Sequence, residues 1–262
     1  MRSQGDISPL PPYNSFFRGQ FPALRNLRLE SYPLDLARPA STTANGLTRL
    51  VLDNRLRHQR HDLLEYLGHC KNLVYLGIDL PELQGAVPAS HIATLPSLRE
   101  LQSAPSSLTT LCHLSFPPST DIIIGPRAGE CVDRLPFMNV RTREGLPKIL
   151  EWRAIEGIRM TFDTYVCVVT LSGPHLVFTE QARVNISRYN FFYSDCLDSL
   201  QSLPITTTEV LRFVQPPHHP FTGILRPQSC TRLLLLMWEL KRIIVGTSVA
   251  PFFVRALEPI DG

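Results

Sequence analysis

The sequence predicts an α/β fold in the form of a curved solenoid, with short strands on its concave side, helices on its convex side and an irregular β-rich middle. Three observations predict it. An L-x-x-L-x-L spacing recurs along the chain, its copies follow one another at nearly constant intervals, and apolar residues between the copies change to helical spacing. This combination is typical of leucine-rich repeats, in which each unit buries its apolar face only against its neighbours.

The leucine motif predicts the strands. Three matches are complete, a fourth has serine in the last position, and a late match lies in WELKRIIVG: Leu24-Leu27-Leu29, Leu47-Leu50-Leu52, Leu73-Leu76-Ile78, Leu98-Leu101-Ser103 and Leu240-Ile243-Val245. The steps from Leu27 to Leu50, Leu76 and Leu101 are 23, 26 and 25 residues, within the repeat length of about 20 to 29. Because side chains alternate along a strand, each match predicts a short strand with one buried face.

Helices are predicted between the strands. In HDLLEYLGHC the apolar residues Leu63, Leu64, Leu67 and Cys70 share one helix face, and in GTSVAPFFVRAL so do Val249, Phe252, Phe253 and Ala256. Thr247 or Ser248 is a candidate N-cap of the second helix. A further helix is expected over 107–114, followed by a stop at Pro117 and a strand at 121–124.

The middle of the chain departs from the repeat. Over about 129–205 the leucine spacing lapses, and β-rich runs appear instead: GIRMTF, TYVCVVTLSG and HLVFTE. Ser172-Gly173-Pro174 is a turn signal between two of these runs, so longer strands or a hairpin are expected there. The domain organisation predicted is a poorly ordered Pro-rich segment over 1–20 and one leucine-rich-repeat domain over 21–262, irregular in its middle.

Composition excludes several classes of function. The net charge is only +3 with no long block of one sign, which argues against nucleic acid or an anionic membrane as a partner. The first residues contain no apolar signal region, and the longest apolar run, 233–238, is far shorter than the roughly 20 residues of a membrane span. We therefore expect an intracellular protein, cytoplasmic or nuclear, whose six scattered cysteines are reduced and pack as small core residues.

No catalytic or cofactor motif is present in the sequence. Phosphate-binding glycine loops, H-E-x-x-H and G-x-S-x-G are all missing, so neither an enzyme nor a cofactor is predicted. His58, His61, His69 and Cys70 offer four possible zinc ligands, but a solvated loop followed by a buried cysteine is the favoured interpretation. For Cys112 and His113, which are adjacent, the prediction is one buried and one exposed residue.

The residues between the leucines are predicted to form a surface for a protein partner. If the leucines point inward, the intervening side chains share the opposite face of each strand. The candidate partner-binding residues are Arg25, Arg28, Glu30, Arg49, Asp53, Tyr75, Asp79, Arg99, Glu100, Gln102 and Arg242. The alternative is that this face is only solvated, with arginines and carboxylates pairing across neighbouring strands.

The order of FFRGQFPALRNLRLESYPLDL, KNLVYLGIDL, LPSLRELQSAPSSLTTLCHLSFPPSTDIII and LKRIIVGTSVAPFFVRAL resembles the leucine-rich half of fungal F-box proteins. The most specific piece is SFPPST. The resemblance implies a substrate-binding region of a cullin-based ubiquitin ligase. The F-box itself is not expected here, because residues 1–20 do not contain its L-P-x-E type motif, so a ligase adaptor would bind only if an F-box exists upstream. The alternative is a leucine-rich-repeat scaffold protein with no role in a ubiquitin ligase.

Overall fold

The structure, a computed structural model, describes residues 23–30, 41–53, 60–79, 92–125, 154–162, 166–183, 196–214, 226–247 and 249–257. The strands are β1 Asn26–Glu30, β2 Arg49–Asp53, β3 Tyr75–Asp79, β4 Ala93–Thr94, β5 Glu100–Ser103, β6 Leu114–Ser115, β7 Asp121–Ile124, β8 Gly157–Phe162, β9 Val166–Gly173, β10 Leu176–Arg183, β11 Val210–Val214 and β12 Arg242–Val245. The helices are α1 Ser41–Gly46, α2 Arg60–His69, α3 Leu108–Leu111, α4 over 196–200, α5 Pro227–Leu236 and α6 Ala250–Leu257.

Ten of the described strands form one sheet. Its order is β1-β2-β3-β5-β7-β10-β9-β8-β11-β12, and the short strands β4 and β6 pair separately. Neighbours are parallel except at β10–β9 and β9–β8, which are antiparallel. The described part of the protein is thus a mixed α/β fold around a large, mostly parallel sheet with a few short helices.

The prediction of a leucine-rich-repeat solenoid is wrong. In a solenoid each strand would pair with the next one along the chain after a helical crossover, whereas here β10 lies beside β7 and β8 lies between β9 and β11. The cause lies in the middle of the chain. There the eight-residue strands β9 and β10 are joined by only two residues, Pro174 and His175, so they must fold back and pair antiparallel.

The leucine motifs nevertheless predict the strand register in the first half of the sheet. Leu27, Leu50, Leu76 and Leu101 are paired across β1, β2, β3 and β5, and Ile122 of β7 continues the row. Leu50, Leu76 and Leu101 are completely buried. Burying a leucine side chain stabilises a fold by about 1.5–3 kcal/mol, so these rows explain why the strands align at this register.

The β-rich runs predicted in the middle are the strands β8, β9 and β10, and the predicted turn at Ser172-Gly173-Pro174 overlaps the last two residues of β9 and the first residue of its connection to β10. Gly173 is required at its position. A Cβ there would lie 2.0 Å from the carbonyl oxygen of Ala154, which is a severe steric clash. The close approach lets the hairpin pack against the segment that leads into β8.

Of two predicted helices, the one over 107–114 is wrong and the one in HDLLEYLGHC is confirmed. Instead of one helix over 107–114, the chain forms a 3-10 turn at Pro105–Ser107, the four-residue α3 and then strand β6. Leu108, Leu111 and Leu114 are still buried, as predicted. The helix predicted from HDLLEYLGHC is α2, and Leu63, Leu64, Leu67 and Cys70 are all buried.

The last helices complete the core beside β11. The rings of Phe213 in β11 and Phe253 in α6 lie 4.7 Å apart, within the usual spacing of a packed aromatic pair. The Thr231 hydroxyl of α5 donates to the carbonyl oxygen of Pro227 at 3.1 Å and lies 3.5 Å from the carbonyl oxygen of Ala256 in α6. Buried residues from the first leucine rows to α6 belong to one hydrophobic cluster. None of the described helices is long and apolar enough to cross a membrane.

Candidate interaction surface

One face of the ten-stranded sheet carries the buried leucine rows; we call the opposite one the outer face. Strand alternation and register place most of the predicted partner-binding residues on it: Arg28, Glu30, Arg49, Asp53, Tyr75, Asp79, Glu100, Gln102 and Arg242. Arg25 and Arg99 are exposed but precede β1 and β5. A single row of backbone pairings runs from Arg28 in β1 to Arg242 in β12, so the outer face is continuous across the sheet.

Four of these side chains form a connected cluster over β2, β3 and β5, which we call the polar cluster. The guanidinium of Arg49 lies 3.6 Å from the centroid of the Tyr75 ring. The Tyr75 hydroxyl donates to Gln102 Oε1 at 2.7 Å, and Gln102 Nε2 donates to Glu100 Oε1 at 3.0 Å. Each contact limits the rotamers of the next side chain, so this part of the outer face is ordered before any partner binds.

Other predicted residues contact their own chain. Arg28 Nε lies 2.5 Å from Glu30 Oε1, an ion pair within one strand, with both side chains mostly exposed. Arg25 donates to the carbonyl oxygen of Gly46 at 3.2 Å and so holds the end of α1 against β1. Arg28 thus pairs along its own strand and Arg49 packs on an aromatic ring. Lys241 and Glu209, which precede β12 and β11, do pair across neighbouring strands, so the alternative of a solvated face with cross-strand charge pairs stays a prediction.

A depression of about 360 Å³ lies beside the polar cluster. Its floor includes Gly77, which stands in the row between Val51 and Gln102 and has no side chain to fill the space. Ile123 of β7 forms an apolar wall and is 40% exposed. Asp53 and Asp79 also line the depression, so apolar and acidic groups meet in one concavity.

Several residues of this surface were not singled out by the sequence. Val51, Gly77, Ile123 and Val177 lie in one row of the outer face, and Val177 is 43% exposed. Only their position in the sequence indicates that they belong to this face, because each lies between two buried residues of its strand. They carry neither a charge nor an aromatic ring, the two properties that mark an interface residue in the sequence.

An exposed hydrogen bond between two side chains also borders the outer face. His175 Nδ1 lies 2.8 Å from Asp121 Oδ1, connecting the β9–β10 turn to the start of β7. The sequence separates these residues by 54 positions, and only the unpredicted pairing of β7 with β10 brings them together.

The described residues contain no group of three or more His, Cys, Asp and Glu side chains that could hold a metal ion. His58, one of the four zinc candidates, lies outside the described residues. For His61, a second candidate, the structure describes the backbone but not the side chain. The prediction for Cys112 and His113 is wrong: both are half-buried in the turn after α3. The Cys112 thiol donates to the carbonyl oxygen of Leu108 at 3.1 Å.

The buried cysteines have the properties of packing residues rather than nucleophiles. Cys70, Cys167, Cys196 and Cys230 are buried, as predicted, while Cys131 lies outside the described residues. Burial raises the pKa of Cys70 to about 12, and burial with the nearby Asp198 carboxylate raises the pKa of Cys230 to about 12. At neutral pH these two thiols are therefore protonated, and a thiolate is the form that attacks electrophiles.

Comparison of the chain with protein-family models, with curated proteins and with solved structures gives no match.

Proposed function

We propose that this chain is a non-enzymatic protein-recognition module that binds a partner polypeptide on the outer face, over β2, β3, β5 and β7. The observation that carries the proposal is the ordered polar cluster next to a partly apolar depression. Arginine and tyrosine are enriched among residues that dominate binding energy at protein interfaces. A side chain already held in place loses less rotamer freedom on binding.

The depression favours a particular anchor on the partner. Its apolar walls, Val51 and Ile123, suit an aliphatic chain, whereas Asp53 and Asp79 suit a positive charge at the end of that chain. Lysine and arginine combine the two. We therefore expect a basic residue of the partner to lie over Gly77.

The resemblance of the sequence motifs to fungal F-box proteins supports a more specific role. It implies that the partner is a substrate presented for ubiquitination. Within this proposal the outer face selects the substrate, and a ligase adaptor binds only if an F-box exists upstream.

Site-specific photo-crosslinking tests the proposed surface. A photoreactive amino acid replaces Ile123 beside the depression or, as a matched control, Glu65, which is exposed on α2. In an extract of cells that express the protein, position 123 should capture a defined partner that position 65 does not capture. That partner is then purified for a direct binding measurement.

Binding of the purified partner provides the quantitative test. Tyr75→Ala removes both the ring under Arg49 and the hydroxyl that holds Gln102, and it should weaken the affinity by about thirtyfold or more, since loss of an interface hot spot costs about 2 kcal/mol or more. Glu65→Ala should leave the affinity unchanged. Equal capture at both positions, or full affinity after Tyr75→Ala, would contradict the proposed surface.

A further inference from the structure

Two arginines face each other in the second half of the outer face. Arg159 of β8 and Arg212 of β11 are direct partners in the parallel register, and both are exposed. Adjacent strands lie only about 4.8 Å apart, and like charges directly opposite each other destabilise a sheet. Neither guanidinium forms an ion pair with another of the described residues. The free protein thus concentrates positive charge at one point.

A concavity of about 410 Å³ adjoins this pair. Gly157 lies in its floor, and a Cβ there would come within 2.7 Å of Ser172 Oγ, so the absence of a side chain keeps the floor open. Thr170 is the register partner of Arg159 on the other side and adds a hydroxyl to the wall. The concavity therefore brings together two guanidinium groups, two hydroxyls and a bare stretch of backbone.

We infer that Arg159 and Arg212 form a binding site for a carboxylate group of an acidic segment in the partner polypeptide. A carboxylate between the two guanidinium groups accepts hydrogen bonds from both and relieves their mutual repulsion. The hydroxyl of Thr170 offers a further donor. The inference rests on the proposed function in one respect, because it assigns the ligand to a polypeptide that lies on the same outer face.

The opposite end of the concavity favours a carboxylate over a phosphate. Glu156 and Glu209 line that end, and Glu209 is paired with Lys241 at 2.6 Å. Arg159, Arg212 and Lys241 are positive and the two glutamates are negative, so the site carries one net positive charge. A single carboxylate charge neutralises it, whereas a phosphate dianion exceeds it.

The sheet order sets the spacing between the two sites. The basic residue is expected over Gly77 in β3, and the arginine pair lies on β8 and β11, five and six strands away. That is about 26 Å across the sheet, or about eight residues of an extended peptide. The partner segment should therefore carry a basic residue and, about eight residues from it, an acidic one.

Fluorescence polarisation with defined peptides tests the arginine site alone. Dye-labelled hexaglutamate should bind the full chain at low salt, while hexaglutamine and hexalysine should not, and inorganic phosphate should compete poorly. Arg159→Gln and Arg212→Gln should each weaken hexaglutamate binding by about tenfold. The control Arg232→Gln removes an exposed arginine on α5 and should leave binding unchanged.

Two further readouts separate a binding role from a structural one. Arg212→Lys should not restore the affinity, because an ammonium group lacks the planar pair of donors. Arg212→Gln should melt at the same temperature as the wild type or above it, because it removes repulsion from Arg159. Loss of binding together with a lower melting temperature would overturn the assignment, as would equal loss in the Arg232→Gln control.

The outcomes also separate this inference from the proposed function. Failure of crosslinking at position 123 would contradict the proposed partner surface and leave the hexaglutamate result standing. Failure of hexaglutamate to bind, or tighter binding of inorganic phosphate, would overturn the carboxylate site and leave the depression beside the polar cluster standing.

Discussion

At the scale of single residues, Tyr75 connects three strands of the outer face. Its ring supports Arg49 of β2, and its hydroxyl donates to Gln102 of β5. All three side chains belong to adjacent parallel strands in matched register. The position of each group therefore depends on its neighbours, and a change in one alters the presentation of the others.

A double-mutant cycle measures the contact between Arg49 and Tyr75. Arg49→Ala and Tyr75→Leu are made singly and together, and the free energy of unfolding is determined in urea. Because an exposed cation–π pair contributes about 0.5–1 kcal/mol, we expect a coupling energy of that size. The matched pair Arg49 and Glu65, which lie on the sheet and on α2, should show additive effects within about 0.5 kcal/mol; equal coupling in both cycles would refute the contact.

Buried thiols lower the free energy of unfolding at alkaline pH. The pKa of Cys230 is about 12 in the folded chain, against an ordinary value of 9.0, chiefly because of burial. Between these values the unfolded chain loses the thiol proton while the folded chain keeps it, so the unfolded state binds fewer protons. The free energy of unfolding then falls as pH rises from about 9 toward 12.

Removing one such thiol should reduce this dependence. In Cys230→Ala the free energy of unfolding should decline less between pH 8 and pH 10 than in the wild type, as measured by urea titrations at each pH. Val254→Ala, an exposed substitution on α6 with no ionisable group, should retain the wild-type decline. A parallel decline in Cys230→Ala and wild type would show that this thiol is not protected by burial.

At the scale of the elements, the hairpin of β9 and β10 decides the architecture. Its two-residue turn reverses the chain and places β10 beside β7, so that the parallel first half of the sheet is joined to the second half through Leu176 and Phe178. Gly173 permits the close approach to Ala154 on which this arrangement depends. The turn therefore has a larger effect on the fold than its length suggests.

Two glycine substitutions should have opposite effects. Gly173→Ala places a Cβ against the backbone of Ala154 and should destabilise the protein by more than about 2 kcal/mol, a size typical of steric conflict in a packed site. Gly68→Ala lies in α2 with nothing within 4 Å of the new Cβ and should stabilise it by up to about 1 kcal/mol. Thermal melts of both variants test the pair, and a neutral Gly173→Ala would contradict the close contact.

Local patterns predicted the elements better than their arrangement. The leucine motifs identified β1, β2, β3 and β5, because burial of alternate residues is visible in the sequence itself. The pairing of β7 with its second neighbour, β10, was not predictable in this way. Ile122 and Ile124 could pack beside any apolar strand, and the pairing with β10 depends on the turn between β9 and β10, about 50 residues away in the sequence.

The same distinction applies to the candidate site. Arg49, Tyr75 and Glu100 were predicted from their positions between leucines, since strand register alone places them on one face. The arginine pair was not predicted, because Arg159 and Arg212 are 53 residues apart and meet only through the pairing of β8 with β11. Neither motif spacing nor composition carries that information.

At the scale of the whole molecule, the described residues share one hydrophobic core. It extends from Leu47 through the sheet to Phe253. The link between the two halves of the sheet is the β7–β10 pairing, where Ile122 and Leu176 are both buried. We therefore expect the two halves to unfold together.

Leu76→Ala tests this cooperativity. It removes a completely buried side chain from β3 and should cost about 2–5 kcal/mol. Exchange of the backbone amide hydrogens of β9 and β10 reports on the second half of the sheet, and circular dichroism reports on the whole. Both midpoints in urea should shift equally. A shift in circular dichroism without one in amide exchange would indicate halves that unfold independently.

The final strand has a consequence for solubility. Among the described strands β12 has a neighbour on one side only, so part of its backbone donors and acceptors face away from the sheet. Such an edge can recruit a strand from another molecule, and Ile243, Ile244 and Val245 are residues that favour this pairing. The charge of Arg242 at the beginning of the strand opposes such pairing, so we expect Arg242→Val to increase aggregation in concentrated solutions.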